Sequence, residues 1–154
     1  MLCTKRLEFD AGHRVLGHGG KCRHLHGHRY AAEITVYAEE TNKLGFVVDF
    51  GCIKEAVGEW IDDNWDHNFL CNADDPLLHV LDHSELEFEV TGGRKPFVMP
   101  GKQNPSAENL ARFLLFKATE LLEDAYHVRV VKVRLYETPT CWSDFRNPYF
   151  HPSE

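Results

Sequence analysis

Three things are missing from this 154-residue chain: a long apolar run, a paired set of cysteines and, over one stretch, any carboxylate. No apolar run approaches the roughly 20 residues needed to span a bilayer, and the first residues lack the apolar core of a secretory signal. The five cysteines are an odd number without framework spacing, which is typical of reduced thiols rather than disulfides. We therefore expect a cytoplasmic protein that makes no membrane contact.

The charge of the chain is negative overall but unevenly distributed. A net charge of −7 argues against nucleic acid as the main partner. No carboxylate occurs between Asp10 and Glu33, whereas four basic residues do: Arg14, Lys21, Arg23 and Arg29. This local basic patch predicts a small anionic substrate, such as a phosphorylated metabolite. A solvated basic loop would have the same composition, and both interpretations remain open.

The order of secondary structure predicts one α+β domain spanning residues 1–154. The expected strands cover residues 2–12, 28–39, 128–138 and 142–146, and helices are expected over 51–64 and after the N-cap residue Ser106. Residues 72–104 are less regular, with a short helix after Pro76, short strands at 86–90 and 97–99, and a Gly92-Gly93 turn. The two long helices should pack on one face of an antiparallel sheet.

Histidines open the apolar face of the second strand. In a strand, side chains two apart share a face, so His26 and His28 begin the row that continues through Tyr30. The row containing Phe9 in the first strand ends at His13. If the two strands pair antiparallel, three imidazoles meet at one end of the sheet, and three histidines with an open position are a common catalytic zinc set. The alternative is that each histidine is simply packed and hydrogen-bonded.

A carboxylate ends the last long strand. Glu137 follows Val131, Val133 and Leu135 on one predicted face, where a buried charge is costly without a partner. One interpretation is an acceptor for a ligand edge with paired N–H donors. The other is that Glu137 lies beyond the strand end, in water.

Six short motifs occur together in this chain. In order they are Phe9-Asp10-Ala11-Gly12-His13, Cys22-x-x-x-His26-Gly27-His28, Gly45-Phe46-Val47-Val48-Asp49-Phe50, Asp66-His67-Asn68, Asn104-Pro105-Ser106-Ala107-Glu108-Asn109 and Tyr136-Glu137-Thr138. In this set the chain resembles the 6-pyruvoyl-tetrahydropterin synthase and 6-carboxy-tetrahydropterin synthase family. The resemblance implies the tunnelling fold: a four-stranded antiparallel sheet with two long helices on one face. It also implies trimers or hexamers that form a β-barrel, with active sites at subunit interfaces.

The resemblance carries roles to individual positions. It makes the three histidines zinc ligands, Cys22 the catalytic thiol, and Asp66 with His67 an acid–base pair. Glu137 would anchor the pterin ring, with Thr138 beside it. Ser106, which would also contact the pterin, stands where many relatives have threonine. Arg23 belongs to the basic patch that would attract the substrate's triphosphate.

Three functions remain open, two from the resemblance and one from the residues alone. The Cys-x3-His-Gly-His spacing resembles bacterial 6-carboxy-5,6,7,8-tetrahydropterin synthases of the queuosine pathway, which convert 7,8-dihydroneopterin triphosphate with release of acetaldehyde and triphosphate. The second is 6-pyruvoyl-tetrahydropterin synthase, which eliminates triphosphate from the same substrate. The third is a non-catalytic domain in which Cys22 closes a structural zinc site. The segment from about Leu77 to Gly101 departs from the shortest relatives.

Overall fold

A computed structural model describes residues 1–83 and 92–151 and contains a six-stranded sheet. Its strands are β1 (Leu2–His13), β2 (His26–Tyr37), β3 (Asn68–Cys71), β4 (Phe97–Val98), β5 (Arg129–Thr138) and β6 (Cys141–Arg146). Their order in the sheet is β4-β3-β1-β2-β5-β6. The α+β architecture is confirmed, but the expected number of four strands is wrong.

The sheet is mixed rather than fully antiparallel. Strands β1, β2, β5 and β6 pair antiparallel, as expected. Strand β3 runs parallel to the last three residues of β1, and β4 runs parallel to β3. Strand β4 confirms the short strand expected at 97–99, whereas β3 has only four residues, too few to show an alternating pattern in the sequence.

Two helical regions cover one face of the sheet. The first consists of α1 (Phe50–Ile53), a π-helical segment (Lys54–Gly58) and α2 (Glu59–Asn64). The Asp49 carboxylate caps α1 by accepting the Gly51 N–H at 2.7 Å. Ile53, Val57 and Ile61 are buried, at the spacing that places side chains on one face of a helix. The expected helix over 51–64 is therefore confirmed, with a π turn in its middle.

A short helix, α3 (Leu77–His83), follows Pro76, and the longest helix, α4 (Ala107–Tyr126), begins at Ser106. The buried stripe of α4 runs from Ala107 to Leu122 and packs in the same core as Phe9 and Ile34 of the sheet. Among residues 1–83 and 92–151, no helix is both long and apolar enough to cross a membrane. The expected strand at 86–90 lies outside the described residues, whereas Gly92 and Gly93 form a turn.

A bulge in β5 changes which valine enters the core. Thr35 pairs with Lys132 but Val36 pairs with Val130, so Val131 is an extra residue. Val130 is fully buried and Val131 only partly so. The expected alternation through Val131 is therefore wrong at that residue, although Val133 and Leu135 are buried as expected.

Candidate functional site

The paired ends of β1 and β2 bring three histidines together. The expected antiparallel pairing is confirmed, with His13 opposite His26 and Ala11 opposite His28. The three ring centroids lie 4.5–5.1 Å apart. One ring nitrogen from each histidine lies within 4.8 Å of the others, an arrangement that could hold a metal ion. This set is called the histidine cluster below.

Hydrogen bonds fix the tautomers of two of these rings. His13 Nδ1 lies 2.8 Å from the Pro105 carbonyl oxygen, and His26 Nδ1 lies 2.7 Å from the His24 carbonyl oxygen. Because a carbonyl can only accept, each Nδ1 must carry the hydrogen. Each Nε2 then keeps its lone pair, which is the form of imidazole that binds a metal.

Burial favours the neutral form of the cluster. His13 is fully buried, and its burial lowers its pKa in spite of the Pro105 carbonyl, which acts in the opposite direction. Burial also lowers the pKa of His28, against the attraction of Glu137. His13 Nε2 is buried without a hydrogen-bond partner among the described residues, an arrangement that calls for a ligand or an ion. The donors present therefore fit a divalent metal.

Glycine at position 27 allows the two strands to approach closely at the cluster. A Cβ atom at Gly27 would lie 3.1 Å from the Ala11 carbonyl oxygen. Few real side chains make so tight a contact with backbone, so any larger residue would push β2 away from β1. The glycine thus supports the spacing between His13 and its two partners.

Glu137 lies at the open side of the cluster. Its Oε1 is 3.3 Å from His13 Nε2 and 3.8 Å from His28 Nε2, and its side chain is 30% exposed. It lines a cleft of about 430 Å³ together with His28 and Thr138. The carboxylate is therefore only partly exposed, and a ligand in this cleft would reach it.

Asp66 and His67 form a pair at the start of β3. His67 Nδ1 donates to Asp66 Oδ2 at 2.6 Å, and the Asp10 N–H donates to Asp66 Oδ1 at 2.8 Å. Burial acts to raise the pKa of the Asp66 carboxyl, but these two hydrogen bonds outweigh burial and lower the pKa below its usual value. His67 is 75% exposed at its side chain and shares an open depression with His28.

The backbone of His67 also holds the pair in place. Its φ of 52° lies in the left-handed region, and its N–H donates to the Asp10 carbonyl at 2.6 Å. Arg94 donates to the backbone carbonyls of Asp62 and Asp66. This contact is a role for the 77–101 segment that sequence patterns did not indicate.

Cys22 lies outside the histidine cluster. It is exposed in the 3₁₀ turn Lys21–Arg23, and its carbonyl accepts the Val15 N–H at 2.8 Å. The metal-capable group found among the described residues contains three histidines and no thiol. The closed structural site that would require Cys22 as a fourth ligand is therefore not supported.

The remaining predicted residues are placed as follows. Ser106 caps α4 by accepting the Asn109 N–H at 3.4 Å, and Thr138 accepts the Cys141 N–H at 3.1 Å in the β5–β6 turn. Arg23 is exposed, with its Nε 3.4 Å from His24 Nε2. The structure brings Glu137 and Thr138 to the cluster, whereas Ser106 and Arg23 make local contacts.

The basic patch divides into paired and exposed members. Arg14 forms a two-point ion pair with Asp75, whose side chain is fully buried, and Arg29 lies 3.4–3.5 Å from Glu8 and Asp10. Lys21 and Arg23 are exposed. Arg29 is also exposed, at 69% of its side chain, so only Arg14 is withdrawn from the set expected to attract an anion. Asp75 lies 61 residues from Arg14, a separation at which local sequence patterns indicate no contact.

Comparison with known proteins identifies the fold and the family. The model of a family described as 6-pyruvoyl tetrahydropterin synthase matches residues 2–148. A 6-carboxy-5,6,7,8-tetrahydropterin synthase of Rickettsia felis is 43% identical over 140 residues, which cover 91% of this chain and 96% of that protein. The chain belongs to the 6-pyruvoyl tetrahydropterin synthase family. The family's enzymes act on a pterin substrate.

More distant proteins extend this comparison. A 6-carboxy-5,6,7,8-tetrahydropterin synthase of Aquifex aeolicus is 33% identical, covering 93% of this chain and 96% of that protein. An uncharacterized protein of Wolinella succinogenes superimposes with a TM-score of 0.80 at 23% identity, over 96% of this chain and 98% of that one. The 6-pyruvoyl tetrahydropterin synthase of Caenorhabditis elegans gives a TM-score of 0.65 at 20% identity, over 96% and 95%. At these identities the two structures establish the fold alone.

Proposed function

We propose that this chain is a zinc-dependent 6-carboxy-5,6,7,8-tetrahydropterin synthase, acting as a single domain over residues 1–154. It would convert 7,8-dihydroneopterin triphosphate to 6-carboxy-5,6,7,8-tetrahydropterin with release of acetaldehyde and triphosphate, in the queuosine (7-deazaguanine) pathway. The observation that carries the proposal is the histidine cluster, in which His13 Nε2 is buried without a hydrogen-bond partner. The Rickettsia relatives support the carboxy product over the pyruvoyl one.

Three protein ligands suit a catalytic metal. His13, His26 and His28 would hold zinc through neutral imidazoles, leaving further coordination positions for substrate. Zinc bound there would make substrate hydroxyls more acidic and stabilise negative charge on oxygen. The hydrogen bonds at Nδ1 of His13 and His26 orient these rings before any metal binds.

The cleft beside the cluster would bind the pterin ring. Glu137 would accept N–H groups from the 2-amino edge, in hydrogen bonds strengthened by the charge of the carboxylate. Thr138 lines the same cleft, and Ser106 would contact the ring through a hydroxyl that also caps α4. Arg23 and Lys21, which are exposed and basic, would attract the triphosphate.

Proton transfer would use groups on the periphery of the site. The Asp66 carboxylate is hydrogen-bonded to Nδ1 of His67, so Nε2 of His67 is free to accept or donate a proton. Cys22 would move the second proton from the loop that joins β1 to β2. Because both side chains are exposed in one chain, we propose that substrate, or a neighbouring subunit, completes the site around them.

Two sheet edges support an oligomer. Within the described residues, β1 pairs with β3 only at Ala11–His13, and β6 pairs only with β5. Open edges of this kind can join copies of the chain. We propose a cytoplasmic trimer or hexamer in which these edges close a β-barrel, and light scattering should give three or six times the chain mass of 17.7 kDa.

Incubation of zinc-loaded protein with 7,8-dihydroneopterin triphosphate tests the function. Acetaldehyde, measured with alcohol dehydrogenase and NADH, together with the mass of the 6-carboxy product, would support the proposal. A 6-pyruvoyl product without acetaldehyde would assign the alternative reaction. Absence of any turnover, with zinc bound, would contradict both. Removing zinc with a chelator should abolish turnover, and adding it back should restore turnover.

Substitution of Glu137 tests the pterin site separately. We expect Glu137→Ala to weaken substrate binding by about 10- to 100-fold, because a charge-assisted hydrogen bond contributes about 1.5–3 kcal/mol. Zinc content should be retained, since the three histidines remain. Glu137→Gln, which keeps the shape but not the charge, is the matched variant, and unchanged calorimetric binding in Glu137→Ala would rule out the anchor.

A further inference from the structure

Asn104 connects three segments that surround the histidine cluster. Its side-chain Oδ1 accepts the Leu16 N–H at 3.0 Å, and its Nδ2 donates to the Leu16 carbonyl at 3.0 Å. The amide thus satisfies both backbone groups of one residue, as a neighbouring strand would. Asn72 adds a hydrogen bond of 3.3 Å to the same Oδ1.

The backbone of Asn104 is held as firmly as its side chain. Its carbonyl accepts the Ser106 N–H at 2.9 Å and the Asn109 side-chain amide at 3.0 Å. Both donors belong to the start of α4, the helix whose first turn packs in the core through Ala107 and Leu110. Asn104 is therefore fixed to the helix on one side and to Leu16 on the other.

The contacts of Asn104 lie close in sequence to both His13 and its hydrogen-bond acceptor. His13 lies three residues before Leu16, and its Nδ1–H donates to the carbonyl of Pro105, the residue after Asn104. The same segment also contacts the loop that carries Cys22, because the Val15 N–H donates to the Cys22 carbonyl at 2.8 Å. One side chain therefore ties the segment after β1 to the carbonyl that orients a predicted metal ligand.

We propose that Asn104 is a positioning residue for the metal site: its amide clamps Leu16 so that His13 and the Pro105 carbonyl keep their hydrogen-bonded geometry. The proposal rests on the proposed zinc site. Groups that orient the imidazole of a ligand typically contribute 10- to 100-fold to metal affinity. Because Asn104 acts one step behind the Pro105 carbonyl, we expect the lower end of that range.

The test compares zinc affinity in two variants with the same chemical change. Asn104→Ala removes the clamp. Asn147→Ala removes another buried amide that bridges backbone groups, donating to the Val130 carbonyl at 2.8 Å and accepting the Tyr149 N–H at 2.9 Å, after β6 and away from the cluster. Zinc dissociation constants come from competition with a chromophoric chelator, and visible spectra of the cobalt-loaded proteins report ligand geometry.

We expect Asn104→Ala to bind zinc about 10-fold more weakly and to change the cobalt spectrum. We expect Asn147→Ala to lose stability without either change. Equal zinc affinity and identical cobalt spectra in the two variants would overturn the proposal. If Asn104→Ala fails to fold, Asn104→Gln, which presents the same amide on a longer arm, should show the same weakening, and wild-type affinity in that variant would equally overturn it.

Failure of this inference is distinguishable from failure of the proposed function. The experiment measures metal binding and needs no pterin, so it is informative whichever product the protein forms. Wild-type protein that binds no zinc would overturn the zinc site and this inference together. Wild-type protein that binds zinc, with Asn104→Ala unaffected, would overturn the inference alone.

Discussion

The two halves of the candidate site are built in opposite ways. His13 is fully buried, its ring nitrogen is held by a backbone carbonyl, and its partners follow on a paired strand. His67 and Cys22 are both exposed. The backbone of His67 lies in the left-handed region, and Cys22 lies in a 3₁₀ turn. One half is assembled by the sheet of a single chain, whereas the other depends on loops.

This difference separates the proposed metal site from the groups proposed to transfer protons. Ligands on rigid strands keep their spacing at little entropic cost when a metal enters, which is what pre-organisation requires. The proposed acid–base side chains of His67 and Cys22 are exposed and can adjust when a substrate arrives, although hydrogen bonds hold the His67 backbone in place. Substitutions in the buried half should therefore affect metal content, and substitutions in the exposed half should affect turnover alone.

The largest effect is expected at the histidine cluster. His26→Ala removes one of three ligands, so zinc affinity should fall by more than about 100-fold, beyond the loss usual for outer partners of a ligand. Turnover should disappear with the metal. Metal analysis after dialysis measures the first and acetaldehyde release the second. The control is His79→Ala, an exposed histidine of α3, and zinc retained at wild-type affinity in His26→Ala would contradict the ligand set.

Loss of the Cys22 thiol should distinguish most clearly between an effect on turnover and an effect on zinc binding. Cys22→Ala should reduce turnover by roughly 10²- to 10⁴-fold, the usual contribution of a general acid or base, with unchanged zinc content. Cys141→Ala removes another exposed thiol, at the start of β6, and should keep full activity. Loss of zinc together with activity in Cys22→Ala would instead make the thiol a metal ligand.

Breaking the ion pair between Arg14 and Asp75 should lower the stability of the protein rather than its turnover. Asp75→Asn leaves the Arg14 guanidinium without its carboxylate, so the free energy of unfolding at pH 7 should fall by about 3 kcal/mol. Chemical denaturation measures the change. Asn72→Ala, in the same segment, keeps the ion pair and should cost less.

The same pair predicts a pH dependence. Burial acts to raise the pKa of Asp75, but hydrogen bonds from Arg14 and from the Leu77 N–H outweigh it and lower the pKa. The stabilisation is therefore complete above the usual aspartate pKa near 4 and is lost as the pH falls through the lower folded value. The stability gap between wild type and Asp75→Asn should shrink on acidification, and a constant gap down to pH 2 would contradict this assignment.

The smallest effect is expected at Arg23. An exposed charge contributes on the order of 1 kcal/mol or less, so Arg23→Ala should raise KM for the triphosphate substrate by about fivefold and leave stability within roughly 0.5 kcal/mol. The increase should diminish at high salt, because screening weakens exposed charges. Arg14→Ala is the contrasting variant, with a stability loss and little specific change in KM. If KM were independent of salt in both the wild type and Arg23→Ala, Arg23 would have no role in triphosphate binding.

Strand alternation, together with the assumed antiparallel pairing of the first two strands, predicted the histidine cluster. It placed His13, His26 and His28 on inward faces, and the antiparallel pairing of β1 with β2 brought them together. The same rule predicted Val133 and Leu135 as buried. It failed at Val131 because a bulge adds one residue without altering the pattern on either side.

Contacts between distant segments could not be predicted in this way. His13 and Pro105 are 92 residues apart, and Leu16 and Asn104 are 88 apart. Such contacts depend on the packing of α4 against the sheet, which local sequence propensities do not predict. The motif Asn104-Pro105-Ser106 was recognised through resemblance, but its structural role emerged only from the hydrogen bonds.

The three-residue parallel ladder between β1 and β3 has a consequence for how this protein can change over time. Asp66 and His67 lead directly into that ladder, and His13 is its last residue on the other strand. The separation between the proposed acid–base pair and the histidine cluster is therefore set by the register of these two strands. New substrate preferences would have to arise in the segments that surround this frame, which evolution can vary without disturbing the distance at its centre.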